Sequence, residues 1–295
     1  MNTWHSGAAT DTGLLRDRNE DRYWVDAERG VFLVVDGVGG HAGGELAAET
    51  AVDAIRGSIF EEAGTVEKRV RRAITLANNR IFELAQWDDE LRGMACVLTL
   101  AVVEGRRIVI GHVGDSRFYL ISNGAIRKLT SDHSPVGEGE DAGELTEQEA
   151  MAHPRRHEVF RDVGSSKRHA ADEDFIEIRH CRFRANAAIL LCSDGLTDHL
   201  TSEEVRAIVE RYDGDPAAVA RRLVEAANEA GGKDNITALF VAGPQFRSRA
   251  GTTRPRFSVT RARCPERLFT GRMALLAYGV LLGMLVWAVL RARGG

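Results

Sequence analysis

Val31-Phe32-Leu33-Val34-Val35-Asp36-Gly37-Val38-Gly39-Gly40-His41 is the stretch from which the rest of the chain can be read. Its first five residues are apolar, mostly β-branched or aromatic, and too few for a buried helix, so they read as a strand buried on both faces. The strand is expected to end at Asp36, where a glycine loop begins. A carboxylate at such a junction is either a turn residue or an acid held for chemistry. Three further acids repeat the pattern. Asp115 follows the apolar run 108–113, Asp194 follows the run 188–192, and Asp234 precedes the run 236–241. Four strand-end acids so far apart in sequence are expected to meet in one cluster, because converging carboxylates need a cation to offset their repulsion.

The chain has 295 residues, 44% hydrophobic and 28% charged, enough to bury a full core in one large domain. A net charge of -4 leaves no basic footprint for nucleic acid over the whole chain. Cys96, Cys181, Cys192 and Cys264 show no Cys-x-x-Cys spacing and read as reduced, buried thiols. No basic segment followed by an apolar one stands at the N-terminus, so no secretory signal is expected.

In chain order, Leu14 to Asp21 is a charged loop in which Arg16 and Arg18 are expected to face Glu20 and Asp21. Apolar residues at helical spacing predict two helices, over 43–59 and 66–87. Strands follow at 96–103, 107–113 and 117–121, with Ser122-Asn123-Gly124 as a hairpin turn because Asn and Gly accept positive φ. The polar, glycine-rich region 131–170 reads as a functional flap with a short helix at 146–153. Within it Pro154 separates His153 from His157, which argues against a helical metal pair. Strands resume at 175–183 and 188–192. Helices are expected at 202–212, capped by Thr201 or Ser202, and at 216–230, before a last strand at 236–241. Strands, two helices, many strands, two helices and one strand fit an α+β fold of two antiparallel sheets with helices packed outside them.

Past Gly243 the composition changes. Residues 244–272 form a linker with eight arginines against one acid, Glu266. Residues 273–290 are eighteen positions without a charge, which as a helix reach roughly 27 Å, close to a bilayer core of about 30 Å. A transmembrane helix is expected there, followed by a short tail at 291–295. The arginines before it place the N-terminal domain, 1–243, on the cytoplasmic side of the inner membrane, with a single pass. They can also lie on anionic headgroups.

The clustered acids Asp36, Asp194, Asp234 and Asp115, with the Glu20-Asp21 pair, offer only oxygen ligands, which favour Mg²⁺ or Mn²⁺. Two such ions bridged by a carboxylate and a water would acidify that water for in-line attack on a phosphoryl group. Arg16 offers a planar fork for phosphate oxygens.

At these residues the sequence resembles the bacterial branch of the PP2C (PPM) family of metal-dependent Ser/Thr protein phosphatases. The resembling blocks are Leu-Arg-Asp-Arg-Asn-Glu-Asp, Val-Asp-Gly-Val-Gly-Gly-His, Gly-His-Val-Gly-Asp-Ser-Arg, Leu-Thr-Ser-Asp-His-Ser, Leu-Cys-Ser-Asp-Gly-Leu-Thr-Asp and Gly-Gly-Lys-Asp-Asn-Ile-Thr, in the family's order from Leu14 to Val241. The resemblance implies a four-layer α-β-β-α sandwich with the metals at one end of the sheets. It implies that Asp36 bridges two ions, that Gly37 contributes its carbonyl, and that Asp194 and Asp234 complete the pair. Glu20 or Asp21 would act through bound water, Arg16 would hold the substrate phosphate, and Asp115 with Asp194 would hold a third, weaker ion. It also implies phosphorylated protein substrates and a cognate Ser/Thr kinase. Val38 stands where the family has Met or His, so no general-acid histidine is carried over there.

Two other classes compete. Residues 37–42 fit Gly-x-Gly-x-x-Ala, the dinucleotide fingerprint, but the next segment is a second helix rather than a strand ending in a ribose-binding acid. A catalytically silent relative that binds or scaffolds phosphoproteins is the other, and the complete ligand set argues against it.

Overall fold

The computed structural model describes residues 4–38, 42–61 and 64–247. One compact unit runs Met1–Gly251, and the description below is of that unit. The linker beyond Arg247, Cys264, the apolar stretch 273–290 and the loop residues 39–41 lie outside the described residues. Among those described, no helix is long and apolar enough to cross a membrane.

Among the described residues, ten strands form two antiparallel sheets. One contains β1 (His5–Asp11), β10 (Ile236–Ala242), β9 (Ala187–Cys192), β6 (Arg117–Ser122) and β7 (Ala125–Lys128), in that order. The other contains β2 (Arg22–Asp26), β3 (Val31–Val38), β4 (Ala95–Glu104), β5 (Arg107–Val113) and β8 (Glu177–Arg182). Period-2 alternation in β3 sets the layers. Val31, Leu33 and Val35 face α1 (Ala42–Ser58) and α2 (Val66–Trp87), whereas Phe32 and Val34 pack between the sheets with Phe118, Leu191 and Leu239. Both faces of the strand are therefore buried, and all five residues have no exposed surface. On the far side, α6 (Ser202–Val209) and α7 (Pro216–Glu229) cover the first sheet through Val205, Val219 and Leu223. The result is a four-layer sandwich, helices outside and sheets within.

Local chemistry explains the element ends. Thr201 caps α6 in a reciprocal box with Glu204, so Thr201 rather than Ser202 is the cap. Asn123 and Gly124 take φ of 55° and 77° in the β6–β7 hairpin, as their residue types predict. Cys96 and Cys192 are buried free thiols and Cys181 is half-buried.

Four differences from the sequence reading bear on the site. The pairing of β3 does not stop at Asp36; Asp36, Gly37 and Val38 continue opposite Val97, Cys96 and Ala95. The long β4 supplies the missing partners, so a weak Asp-Gly strand former is held extended. Helix α3 (Pro135–Ala142), capped by Ser134, stands where irregular chain was expected. The helix expected over 146–153 is the shorter α4 (Glu147–Met151). Finally, Arg16 and Arg18 lie near Glu20, as expected, but not against Asp21, and their ion pairs are with other acids. Arg16 pairs with Asp234 at 2.7 Å and Arg18 with Glu45 at 3.7 Å, because Asp21 turns inward.

Candidate active site

β3, β5 and β9 all run toward the same end of the sandwich, and β10 begins there. Each delivers an acid at that end. Asp36 lies in the extension of β3, Asp115 follows β5, Asp194 opens the short helix α5 (Asp194–Thr197) after β9, and Asp234 precedes β10. With Arg16, Glu20, Gly37, Val38, Val97, His157, Val159 and Asn235 they line one cavity of about 180 Å³. Asp21 lies beneath it, 2% exposed, its Oδ2 accepting from the Ser193 hydroxyl at 2.7 Å. The candidate ligands Asp36, Gly37, Asp194, Asp234, Asp115, Glu20 and Asp21, and Arg16 with them, are thus at or directly under this pocket.

Glycine is required where backbones cross. A Cβ on Gly37 would stand 2.3 Å from the Gly44 carbonyl oxygen, and one on Gly195 2.1 Å from that of Asn235. These close approaches let α1 and α5 press against the strand ends.

Electrostatic crowding at the pocket is severe. Burial, followed by the charges of Asp21, Asp194, Asp115 and Asp234, pushes the Asp36 carboxyl well above the usual carboxylate range. Burial and then Asp194 and Asp132 do the same to Asp115. Asp21 is pushed up to about 7, by burial first, with hydrogen bonds opposing and the charges of Asp194 and Asp234 adding to the rise. Asp194 goes the other way: burial acts to raise it, but contacts from His157 and Asp36 outweigh burial and hold it below the usual range. The two carboxyls, crowded in one pocket, are thus shifted in opposite directions.

This donor set fits divalent cations. The acids line one pocket, Asp21 Oδ1 is buried with no hydrogen-bond partner, and the like-charge crowding that raises Asp36 and Asp115 is what a hard cation relieves. Asp36, the Gly37 carbonyl, Asp194 and Asp234 can hold such ions from the walls, and Asp21 and Glu20 from below and beside. Asp115 stands next to Asp194.

Several participants left little or no trace in the sequence. Asn235 ties the Arg16 loop together: its amide donates to the carbonyls of Thr12 at 2.9 Å and Arg18 at 2.8 Å, and its Oδ1 accepts from Glu20 N–H at 2.7 Å. His157 comes from the flap, 3.7 Å from Asp194 and 3.6 Å from Asp198. Contact with Asp194 raises the imidazole above its ordinary range, against burial. No helical pair with His153 forms, but one histidine does accompany the acids, which the oxygen-only reading omitted.

His112, His133 and Glu177 also lie close together. Their bonds are already made. His112 Nδ1 meets Thr99 Oγ1 at 2.9 Å and its Nε2 the Ser131 carbonyl at 3.2 Å, while His133 Nδ1 accepts from Gly114 N–H at 3.0 Å. Burial pushes the two imidazoles down to about 4 and about 3, so both are neutral. The cluster anchors the Gly114–Asp115 turn. Beside it Arg117 forks onto Asp132 at 2.6 Å and Glu140 at 2.8 Å, tying β6 to α3.

Comparison with known proteins agrees with this geometry. Residues 13–238 match the family described as Protein phosphatase 2C. The chain is 34% identical over 247 residues to the serine/threonine phosphatase stp of Listeria monocytogenes, covering 80% of this chain and 95% of that protein. The crystal structure of the Mycobacterium tuberculosis serine/threonine phosphatase PstP superposes with a TM-score of 0.72 at 30% identity, covering 81% of this chain and 98% of that one. The PstP catalytic domain solved with two manganese ions gives a TM-score of 0.72 at 29% identity, over 82% and 99% of the two chains.

Proposed function

The chain belongs to the protein phosphatase 2C family and is a Ser/Thr protein phosphatase, and from that premise we propose that it hydrolyses phosphoserine and phosphothreonine on proteins with divalent ions held by its convergent acids. The observation that carries the proposal is the meeting of Asp36, Asp115, Asp194 and Asp234 around one pocket, above buried Asp21.

Asp36, Gly37, Asp194 and Asp234 would hold two ions, Mn²⁺ or Mg²⁺, with Asp21 and Glu20 supporting them and Asp115 with Asp194 serving a third. Bound there, such ions acidify a water and screen the negative charge of the phosphoryl group. The chain's own residues do the rest. Asp36 and Asp115 would serve as anionic ligands, their mutual crowding offset by the ions they hold. Arg16 stands at the mouth, more than half exposed, and its guanidinium can leave Asp234 to grip two phosphate oxygens. Asn235 keeps the loop carrying Arg16 and Glu20 in register, and Val38, Val97 and Val159 form the apolar part of the lining.

The same proposal covers location. The apolar segment 273–290 anchors the enzyme in the inner membrane with the phosphatase domain in the cytoplasm, where it opposes a cognate Ser/Thr kinase. Support for this comes from the uncharged run and the arginines that precede it.

The test is phosphate release from phosphoserine and phosphothreonine peptides, with Mn²⁺, with Mg²⁺ and with a chelator. Release in either metal and none in chelator is expected. Undiminished release in chelator overturns the metal-dependent chemistry, and no release under any condition marks a silent binding module.

A further inference from the structure

The end of the sandwich opposite the pocket has its own chemistry. The strands that lead to the site start there: β5 at Arg107, β9 at Ala187, and β8 ends there at Arg182, paired with Arg107. Arg106, Arg107, Arg182 and Arg184 are exposed and, with buried Phe183, line a surface cavity of about 350 Å³. Among the described residues none of the four is paired with an acid, and the nearby Glu104 is turned to Arg69 at 3.5 Å. Four unpaired guanidiniums side by side repel one another, and a solvated fold tolerates this most easily where an anionic surface can cover them.

Two further observations say which surface. First, the domain leaves its fold at this end. Gly243 N–H bonds the Ala187 carbonyl at 2.9 Å and Gln245 N–H that of Ala185 at 2.8 Å, so the chain passes next to the Arg184–Asn186 turn, and exposed Arg247, the last described residue, lines a neighbouring cavity with Asn186. The sequence then continues through seven more arginines to the uncharged run 273–290. Second, half-buried Trp4 stacks on Phe183 with ring centroids 4.4 Å apart, placing an amphipathic ring at the same end. Arginine with tryptophan is the composition of protein surfaces that lie at lipid headgroups.

We propose that this arginine face docks on anionic phospholipid headgroups, so that the phosphatase pocket points away from the membrane. The pocket then stands off the headgroups by about 20 Å, the length of a seven-residue strand. The choice of lipid rests on the membrane reading above. The electrostatics of the face do not.

The test uses residues 1–251, a compact unit that free-standing relatives match over nearly their whole length. It omits 273–290, so a wrong anchor assignment leaves the outcome unaffected; the anchor is read separately, from whether the full chain stays with membranes in high salt. Co-sedimentation is measured with vesicles of phosphatidylcholine alone and with one third phosphatidylglycerol. Binding only to the anionic vesicles, weakened by raising salt and at least tenfold by R106Q/R107Q/R182Q/R184Q, is expected. Activity of that variant on a soluble phosphopeptide stays unchanged, which also shows that it folds. Equal binding by wild type and variant, or no binding to anionic vesicles, overturns the proposal. Hydrogen exchange on the unmodified unit is the second measurement: vesicles should slow exchange at 104–108 and 180–186 and leave 113–116 and 193–198 unchanged, and the reverse pattern also overturns it.

Discussion

Asp36 shows how function and stability oppose one another at a single residue. Its carboxyl is held where four other acids crowd it, an arrangement useful only to a cation. Asp36→Asn keeps the shape and removes the charge. Phosphate release should fall by about a thousandfold or more, while in chelator the variant should melt higher than wild type, because it removes a carboxyl whose ionisation the fold opposes. Steady-state phosphate release and thermal melts check the two outcomes, and a variant with normal turnover would remove Asp36 from the mechanism. His112 gives a second residue-level outcome. Burial keeps it neutral down to about pH 4 in the folded protein, whereas the unfolded chain protonates it near 6.5. Between those values the unfolded state binds more protons, so this residue's contribution to stability is present above about pH 6.5 and is lost as pH falls toward 4. Against a His112→Asn variant, which keeps an acceptor for Thr99, wild type should lose relative stability over that window in melts taken at each pH.

Among the elements, the flap is the one whose attachment can be isolated. Cys96 and Val163 exchange backbone hydrogen bonds at 2.9 and 2.8 Å, and buried Asn78 on α2 accepts from Gly164 N–H at 2.8 Å and donates to the Ser166 carbonyl at 2.7 Å. Asn78→Ala leaves both backbone groups unsatisfied, at a cost of about 1–3 kcal/mol. Residues 160–168 should then exchange amide hydrogens faster while β3 and β4 stay protected; uniform loss of protection would show that Asn78 holds the whole fold rather than the flap. These elements also show what a sequence reveals. Continuous apolar runs such as 31–35 and 188–192 declare themselves because burial on two faces admits almost nothing else. Helix α3 does not, since Pro135-Val-Gly-Glu-Gly-Glu-Asp-Ala has two glycines and no apolar stripe; Ser134 and the Arg117–Glu140 pair hold it. Asp36, Asp115, Asp194 and Asp234 were legible because each flanks an apolar run. His157 and Asn235 were not, because their partners lie dozens to hundreds of residues away.

At the scale of the molecule, two cores lie between helices and sheets and a third between the sheets among the described residues, all within the compact unit Met1–Gly251. A chain cut after residue 251 should therefore stay folded and keep its turnover on a soluble phosphopeptide within about twofold, a difference of less than about 1 kcal/mol in barrier. Circular dichroism and phosphate release check this. Loss of activity in a folded truncation would give the remaining residues a role beyond anchoring.

The pairing of β1 with β10 joins His5 to Ala242 and Asp11 to Ile236, and Arg16 reaches across to Asp234. Beginning and end of the domain are stitched to each other at the very place where phosphate is to be gripped. A half-made chain emerging from the ribosome therefore holds Asp36 and Asp115 without the partners that give them purpose. Without β10 the site lacks Asp234, so nothing short of the closed sheet can hold the full set of acids.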